Sequence, residues 1–218
     1  MNRLLAPLLL LLLSCHTTRA PREAVFGGDP WSPSFTPPTL LTTERVRLEP
    51  LAPRHTERDH AAFMSSREHL RATLNWGEWP RADMTLEENR ADLQRHWEEF
   101  LRREAYAYTV LSPDGTRCLG CVYINPPDED AAAPEEDGRA ATLAYWVTVE
   151  GLEQDLDRHL VEELAAWFER SWPFDRVAFW HHAANERGVA IARELELEPA
   201  PDPDDAGDPD SAVFLWRR

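Results

Sequence analysis

Four residues, Ser112-Pro113-Asp114-Gly115, constrain the fold of this chain more than any others, because they stand between two apolar runs, residues 106–111 and 118–124. That quartet is turn chemistry, so the runs are expected to pair as an antiparallel hairpin. A hairpin in mid-chain fixes an antiparallel sheet as the scaffold on which the other elements pack.

Residues 45–51 alternate polar and apolar side chains and predict a strand with Val46 and Leu48 facing a core. Residues 141–149, 176–181 and 212–216 predict three further strands, and residues 76–80 a loop. Helices are expected around residues 56–69, 85–103, 155–171 and 185–195. The second has a capping box, Thr85 with Glu88, and Leu93, Trp97, Phe100 and Leu101 at helical spacing. The third presents Leu156, Leu160, Leu164, Trp167 and Phe168 on one side. The order β-α-α-β-β-β-α-β-α-β predicts an α/β (α+β) fold: one domain, a mixed and mostly antiparallel sheet, and helices on both faces. At 218 residues and 43% hydrophobic, with nine Trp, the chain holds one such core rather than two.

Before the domain, Leu4 to Leu13 form an apolar run too short to span a bilayer but of the length of a secretory signal's core. Leu12-Leu13-Ser14-Cys15 resembles the lipobox of bacterial lipoproteins, which makes Cys15 the candidate lipidation site. The expected organisation is a signal peptide over 1–14, a Pro-rich tether over 15–38 and a domain over 39–218. The expected location is the cell envelope, with contact to the membrane only through the lipid. A start codon placed upstream of a cytoplasmic protein's true one is the alternative.

All 23 basic residues are Arg, against 39 Asp and Glu, for a formal net charge of -16. Such a field repels phosphate, which excludes nucleic acid as a partner, and the absence of Lys excludes a catalytic lysine. Two loops, 126–138 and the segment after Glu194, hold much of the acid. Neither has EF-hand spacing, so solvated connection is expected over calcium binding.

Several local phrases occur in an order that resembles the GNAT family of acyl-CoA-dependent N-acetyltransferases, its ribosomal-protein N-terminal acetyltransferase subgroup in particular. Residues 42–51 are similar to the first-strand phrase, Leu119-Gly120 to the third strand, Tyr145-Trp146-Val147 to the fourth, and Asn185-Glu186-Arg187 to the start of the last helix. The resemblance covers residues 39–218. It implies a strand ending at Val147 that splays from its neighbour and pairs with a pantetheine arm, followed by a turn that holds the pyrophosphate at a helix N-terminus. It further implies acetyl-CoA as cosubstrate, without a metal, and Trp146, Val147, Thr148 and Asn185 as cofactor-binding residues.

The family's Arg/Gln-x-x-Gly-x-Gly/Ala turn falls on residues 152–157, where acids, Glu153, Asp155 and Asp157, surround or replace the small residues. Asp155 and Asp157 are expected to cap the helix. The family's Tyr in the last helix corresponds to Ala192, the glycine ending that helix to Glu196, and a frequent strand carboxylate to Thr142. Tyr145, Glu150 and His181 are the candidate proton carriers in their place.

Cys118 and Cys121 have redox-motif spacing, but their odd separation predicts side chains on opposite faces of a strand and hence structural thiols. His181 and His182, being adjacent, are likewise expected to point apart. The expected function is N-acetylation of a small amine or a peptide N-terminus. The alternative is a catalytically inactive binding module of the same fold, anchored in the envelope. The lipid anchor gives a first prediction: Cys15→Ala loses membrane association on cell fractionation, whereas an unmodified N-terminus in the cytosolic fraction would exclude it.

Overall fold

The computed structural model describes residues 34–126, 139–200 and 210–218. The signal segment, Cys15, most of the tether and the two acidic loops fall outside the described residues, apart from their ends. Eight strands form one sheet in the order β1-β2-β3-β4-β5-β6-β8-β7. They are β1 (Leu41–Thr42), β2 (Arg47–Pro50), β3 (Tyr106–Leu111), β4 (Cys118–Asn125), β5 (Ala140–Val147), β6 (Arg176–His182), β7 (Glu198–Ala200) and β8 (Ser211–Arg217). Every neighbouring pair is antiparallel except β5 and β6, which run parallel. The helices are α1 (Thr56–Ser65), α2 (Arg67–Leu74), α3 (Leu86–Arg102), α4 (Val149–Glu153), α5 (Leu156–Ser171) and α6 (Glu186–Glu194).

The turn at 112–115 does what its chemistry requires. Asp114 Oδ1 accepts from Thr116 N at 3.1 Å and from Ser112 Oγ at 2.6 Å, and Gly115 takes φ +73°. The capping box also forms, Thr85 Oγ1 accepting from Glu88 N and Glu88 accepting from Thr85 N. Helices cover both faces. Leu156, Leu160, Leu164 and Phe168 of α5 pack on Tyr106, Tyr108 and Val122, while Phe63 of α1, Leu70 of α2 and Leu93 of α3 pack on Ala107, Cys121 and Trp146. Burying each such side chain contributes roughly 1.5–3 kcal/mol. Trp172 anchors the first face, its ring edge-on to Trp167 at 5.3 Å and to Tyr106 at 5.4 Å. The end of the expected tether belongs to this core: Phe35 lies 5.4 Å from Trp172, and Tyr108 Oη donates to the Pro38 carbonyl at 2.7 Å.

Three expectations need correction. The helix expected over 56–69 is two helices, broken at Ser66, whose Oγ accepts from Val149 N at 3.0 Å. Residues expected to prolong β5 instead form the short helix α4, because Thr148 caps it by accepting from Gly151 N at 3.2 Å. Cys118 and Cys121 share one face. Val110 pairs with Gly120 but Leu111 with Cys118, so Leu119 is an extra residue, and this β-bulge reverses the alternation between the two thiols.

The bulge brings Gly120 against β5: a Cβ there would lie 2.1 Å from the Trp146 carbonyl oxygen. Backbone cannot move aside without breaking the β4–β5 ladder. Gly120→Ala is therefore expected to cost about 3 kcal/mol, measured as a lower midpoint in urea unfolding; an unchanged midpoint would refute the close approach.

Candidate functional site

The parallel ladder between β5 and β6 joins Ala140–Leu143 to Arg176–Phe179 and stops there. Past that point β5 stays with β4 up to Val147, and β6 stays with β8 up to His182. The strands therefore diverge, and among the described residues the β6-facing edge of residues 144–147 has no strand beside it. This wedge sits at the C-terminal ends of two parallel strands, where ligands bind in open sheets. Its enclosed space is about 20 Å³, lined among others by His69, Leu74, Tyr145, Val147, Asn185 and Gly188. That is room for about one water, because α2 leans over the opening.

Tyr145 is buried, and its hydroxyl has no hydrogen-bond partner among the described residues. Burial, with the Asp157 carboxylate nearby, raises its pKa well above the ordinary tyrosine value, so the oxygen keeps its proton. His181 lies edge-on to Tyr145 at 5.7 Å and is 4% exposed. A Cβ on Gly188 would meet His181 Nδ1 at 2.7 Å, so the small residue of α6 admits the imidazole. Asn185 lines the wedge and caps α6, accepting from Gly188 N at 3.0 Å.

Of the other residues proposed from sequence, Trp146 and Val147 line the wedge. Thr148 and Glu150 do not. Thr148 caps α4 and lines a separate groove, and its amide donates to Leu119 O at 2.8 Å. Glu150 is half-exposed in that same groove and paired with Arg117 at 2.5 Å. Ala192 is buried on α6, so the last helix presents no hydroxyl at that position.

At the mouth of the wedge the backbone of the glycine turn survives without its glycine. Asp155 in the turn takes φ +52° and Glu196, past the end of α6, φ +57°, both left-handed, at two of the three positions where the resemblance puts glycine or a small residue; the third, Asp157, is helical. The strain of such a conformation is of the order of 1–2 kcal/mol for a residue with a Cβ, least for Asp and Asn. Asp155 makes no capping bond, contrary to expectation. Instead Arg187, at the start of α6, binds Asp157 through Nε at 2.5 Å and Nη2 at 2.8 Å, and Asp155 through Nη2 at 2.8 Å. Asp157 is buried, so a fork of hydrogen bonds from a guanidinium is what makes its charge tolerable there. The Arg187 contact also holds the Asp155 carboxyl below the ordinary range. Sequence reasoning quoted Arg187 without giving it a role, since its partners are 30 and 32 residues away. The amides leading into the start of α5, those of Thr148, Val149, Gly151, Leu152, Gln154 and Asp155, all donate within the protein.

The pattern of the acetyltransferase (GNAT) domain family matches residues 45–198. Solved structures share the fold. A ribosomal-protein-S5-alanine acetyltransferase from Vibrio fischeri superposes with TM-score 0.63 at 14% identity, over 83% of this chain and 97% of that one. A ribosomal L7/L12 alpha-N-protein acetyltransferase in complex with coenzyme A gives 0.64 at 16%, over 82% and 97%. An acetyltransferase from Salmonella typhimurium that modifies the N-terminal serine of L7/L12 gives 0.58 at 16%, over 81% and 95%. No curated protein sequence matches the chain.

Burial lowers the His181 imidazole to a pKa of about 4. The folded value lies below the unfolded one near 6.5, so between these two pH values the unfolded chain binds the extra proton. Stability is full above pH 6.5 and falls as pH drops through that window, by up to about 1.4 kcal/mol per pH unit for this one group. His181→Asn should lose less stability than the wild type between pH 7 and pH 5 in urea unfolding; equal losses would show that His181 is not buried neutral.

Proposed function

Because the chain belongs to the GNAT acetyltransferase family, we propose that it moves the acetyl group of acetyl-CoA to a primary amine, on a peptide N-terminus or a small molecule. The observation that carries this is the unpaired edge of residues 144–147 beside a buried, unpartnered Tyr145 hydroxyl. Both are polar groups that the protein leaves for something else to meet. The peptide acceptor is supported by the structural relatives whose names specify ribosomal-protein N-termini, and the donor by the relative that holds coenzyme A.

The residues fit the donor in backbone and differ from the family in charge. The β5 edge would take the pantetheine amides, and Asn185 and Gly188 bound the same opening. Arg187 would be a cation for the diphosphate, with Asp155, largely exposed, as the carboxylate it would release. The thioester supplies the activated acetyl group. The chain supplies the wedge and a proton held on Tyr145 Oη. His181 stays neutral beside it and fixes the phenol ring by its edge-on contact.

A second reading, a binding module that does no chemistry, is favoured by Ala192 and by the saturation of Arg187. Calorimetry with acetyl-CoA separates the two. Under the first, the wild type binds, and Asp155→Gly binds about tenfold tighter, since a glycine removes the carboxylate that competes for Arg187, at about 1.4 kcal/mol. Tyr145→Phe keeps binding and slows transfer. Absence of heat at millimolar acetyl-CoA in both the wild type and Asp155→Gly would leave the module as the function.

A further inference from the structure

On the opposite face of the sheet from Tyr145, Asp59 of α1 meets the two thiols that the bulge in β4 brings together. Asp59, Cys118 and Cys121 are all buried, and one ligand atom from each lies within 4.8 Å of the others. Asp59 Oδ1 is 3.3 Å from Cys121 Sγ and 3.9 Å from Cys118 Sγ. We propose that this cluster is a binding site for a thiophilic divalent cation, zinc, that ties α1 to β4.

Size supports it. With zinc–sulfur bonds of about 2.3 Å and zinc–oxygen bonds of about 2.0 Å, a tetrahedral site separates sulfur from oxygen by about 3.5 Å and sulfur from sulfur by about 3.8 Å. The observed triangle already has these dimensions within a few tenths of an ångström on its two sulfur–oxygen sides. Two thiolates with one carboxylate is a donor set that suits zinc rather than magnesium or calcium.

The surroundings support it as well. Asn89, 1% exposed, donates through Nδ2 to Asp59 Oδ2 at 3.0 Å and to the Thr56 carbonyl at 3.1 Å. That leaves Oδ1 turned to the sulfurs, the arrangement by which outer residues orient a ligating carboxylate. Thr109 Oγ1, fully buried, lies 3.5 Å from Cys118 Sγ and can donate to a thiolate. No basic side chain forms an ion pair with Asp59 among the described residues, although a buried carboxylate without a cation is costly. A route in exists: a groove of about 230 Å³, lined by Arg58, Ala62, Ser65, Cys118, Thr148 and Glu150, reaches the first thiol and offers a solvent oxygen for the fourth position. Binding is ligand exchange without electron transfer. The two thiols, and Asp59 where protonated, release protons to solvent, and the ion accepts lone pairs from two sulfurs and one oxygen.

The test uses the full chain carrying Cys15→Ala, so that only the buried thiols respond. Metal-free protein is titrated with Co²⁺, and thiolate-to-cobalt charge-transfer absorption should rise and saturate at one ion per chain. Added zinc should bleach the band, and zinc should be present by elemental mass spectrometry in protein purified without chelator. Cys121→Ser and Asp59→Asn should each abolish the band, and if either fails to fold the parent titration still decides. No charge-transfer band in protein with a native circular dichroism spectrum would overturn the proposal. So would a Cys118–Cys121 disulfide, seen as a mass lower by two hydrogens.

Discussion

The point at which the β5–β6 ladder ends governs most of what this molecule can do. Four parallel residue pairs, from Ala140 with Arg176 to Leu143 with Phe179, hold the strands together. Beyond them β5 is committed to β4 and β6 to β8, and the divergence leaves backbone amides and carbonyls beside a narrow space of mixed polar and apolar lining. An unmatched buried backbone group costs as much as a lost hydrogen bond, so an edge kept free inside a fold calls for a partner. α2, α4, α5 and α6 all contribute side chains to that opening, and the capped start of α6 at Asn185 lies in its lining.

Acids stand at positions where the family resemblance puts small residues. Asp155 and Glu196 keep left-handed conformations that a glycine would adopt without strain. The turn is therefore maintained by the surrounding structure and not by local preference. Arg187 answers the two acids, and Asp157, being buried, is the partner that would be hardest to strip from it: removing one member of a buried pair typically costs about 3–5 kcal/mol. Asp155, exposed, is the exchangeable one. A cation held ready by a weakly bound carboxylate can serve an incoming anion, whereas backbone amides already spent on α4 cannot.

Elements set by local chemistry were legible in the sequence. Turn residues specify the hairpin, and the capping box with its helical spacing specifies α3. What could not be read depends on partners remote in the chain. The break at Ser66 has no glycine or proline to mark it and is fixed by the contact to Val149. The bulge at Leu119 exists only relative to β3, so spacing arguments put Cys118 and Cys121 on opposite faces when they share one. Likewise Asp155 and Asp157 look like helix caps until Arg187 is placed beside them, and Glu150 looks like a cleft residue until α4 turns it toward Arg117. Trp146, Val147 and Asn185, grouped by family resemblance, line one opening, while Thr148, grouped with them, lies in a separate groove.

The central claim is that the free edge of β5 receives the acetyl donor. Hydrogen exchange measured with and without acetyl-CoA tests it at that edge. Slower exchange confined to residues 144–147 and the start of α6, with the β4-bonded amides unchanged, is the predicted result. Exchange in these segments that is identical with and without saturating acetyl-CoA would contradict it.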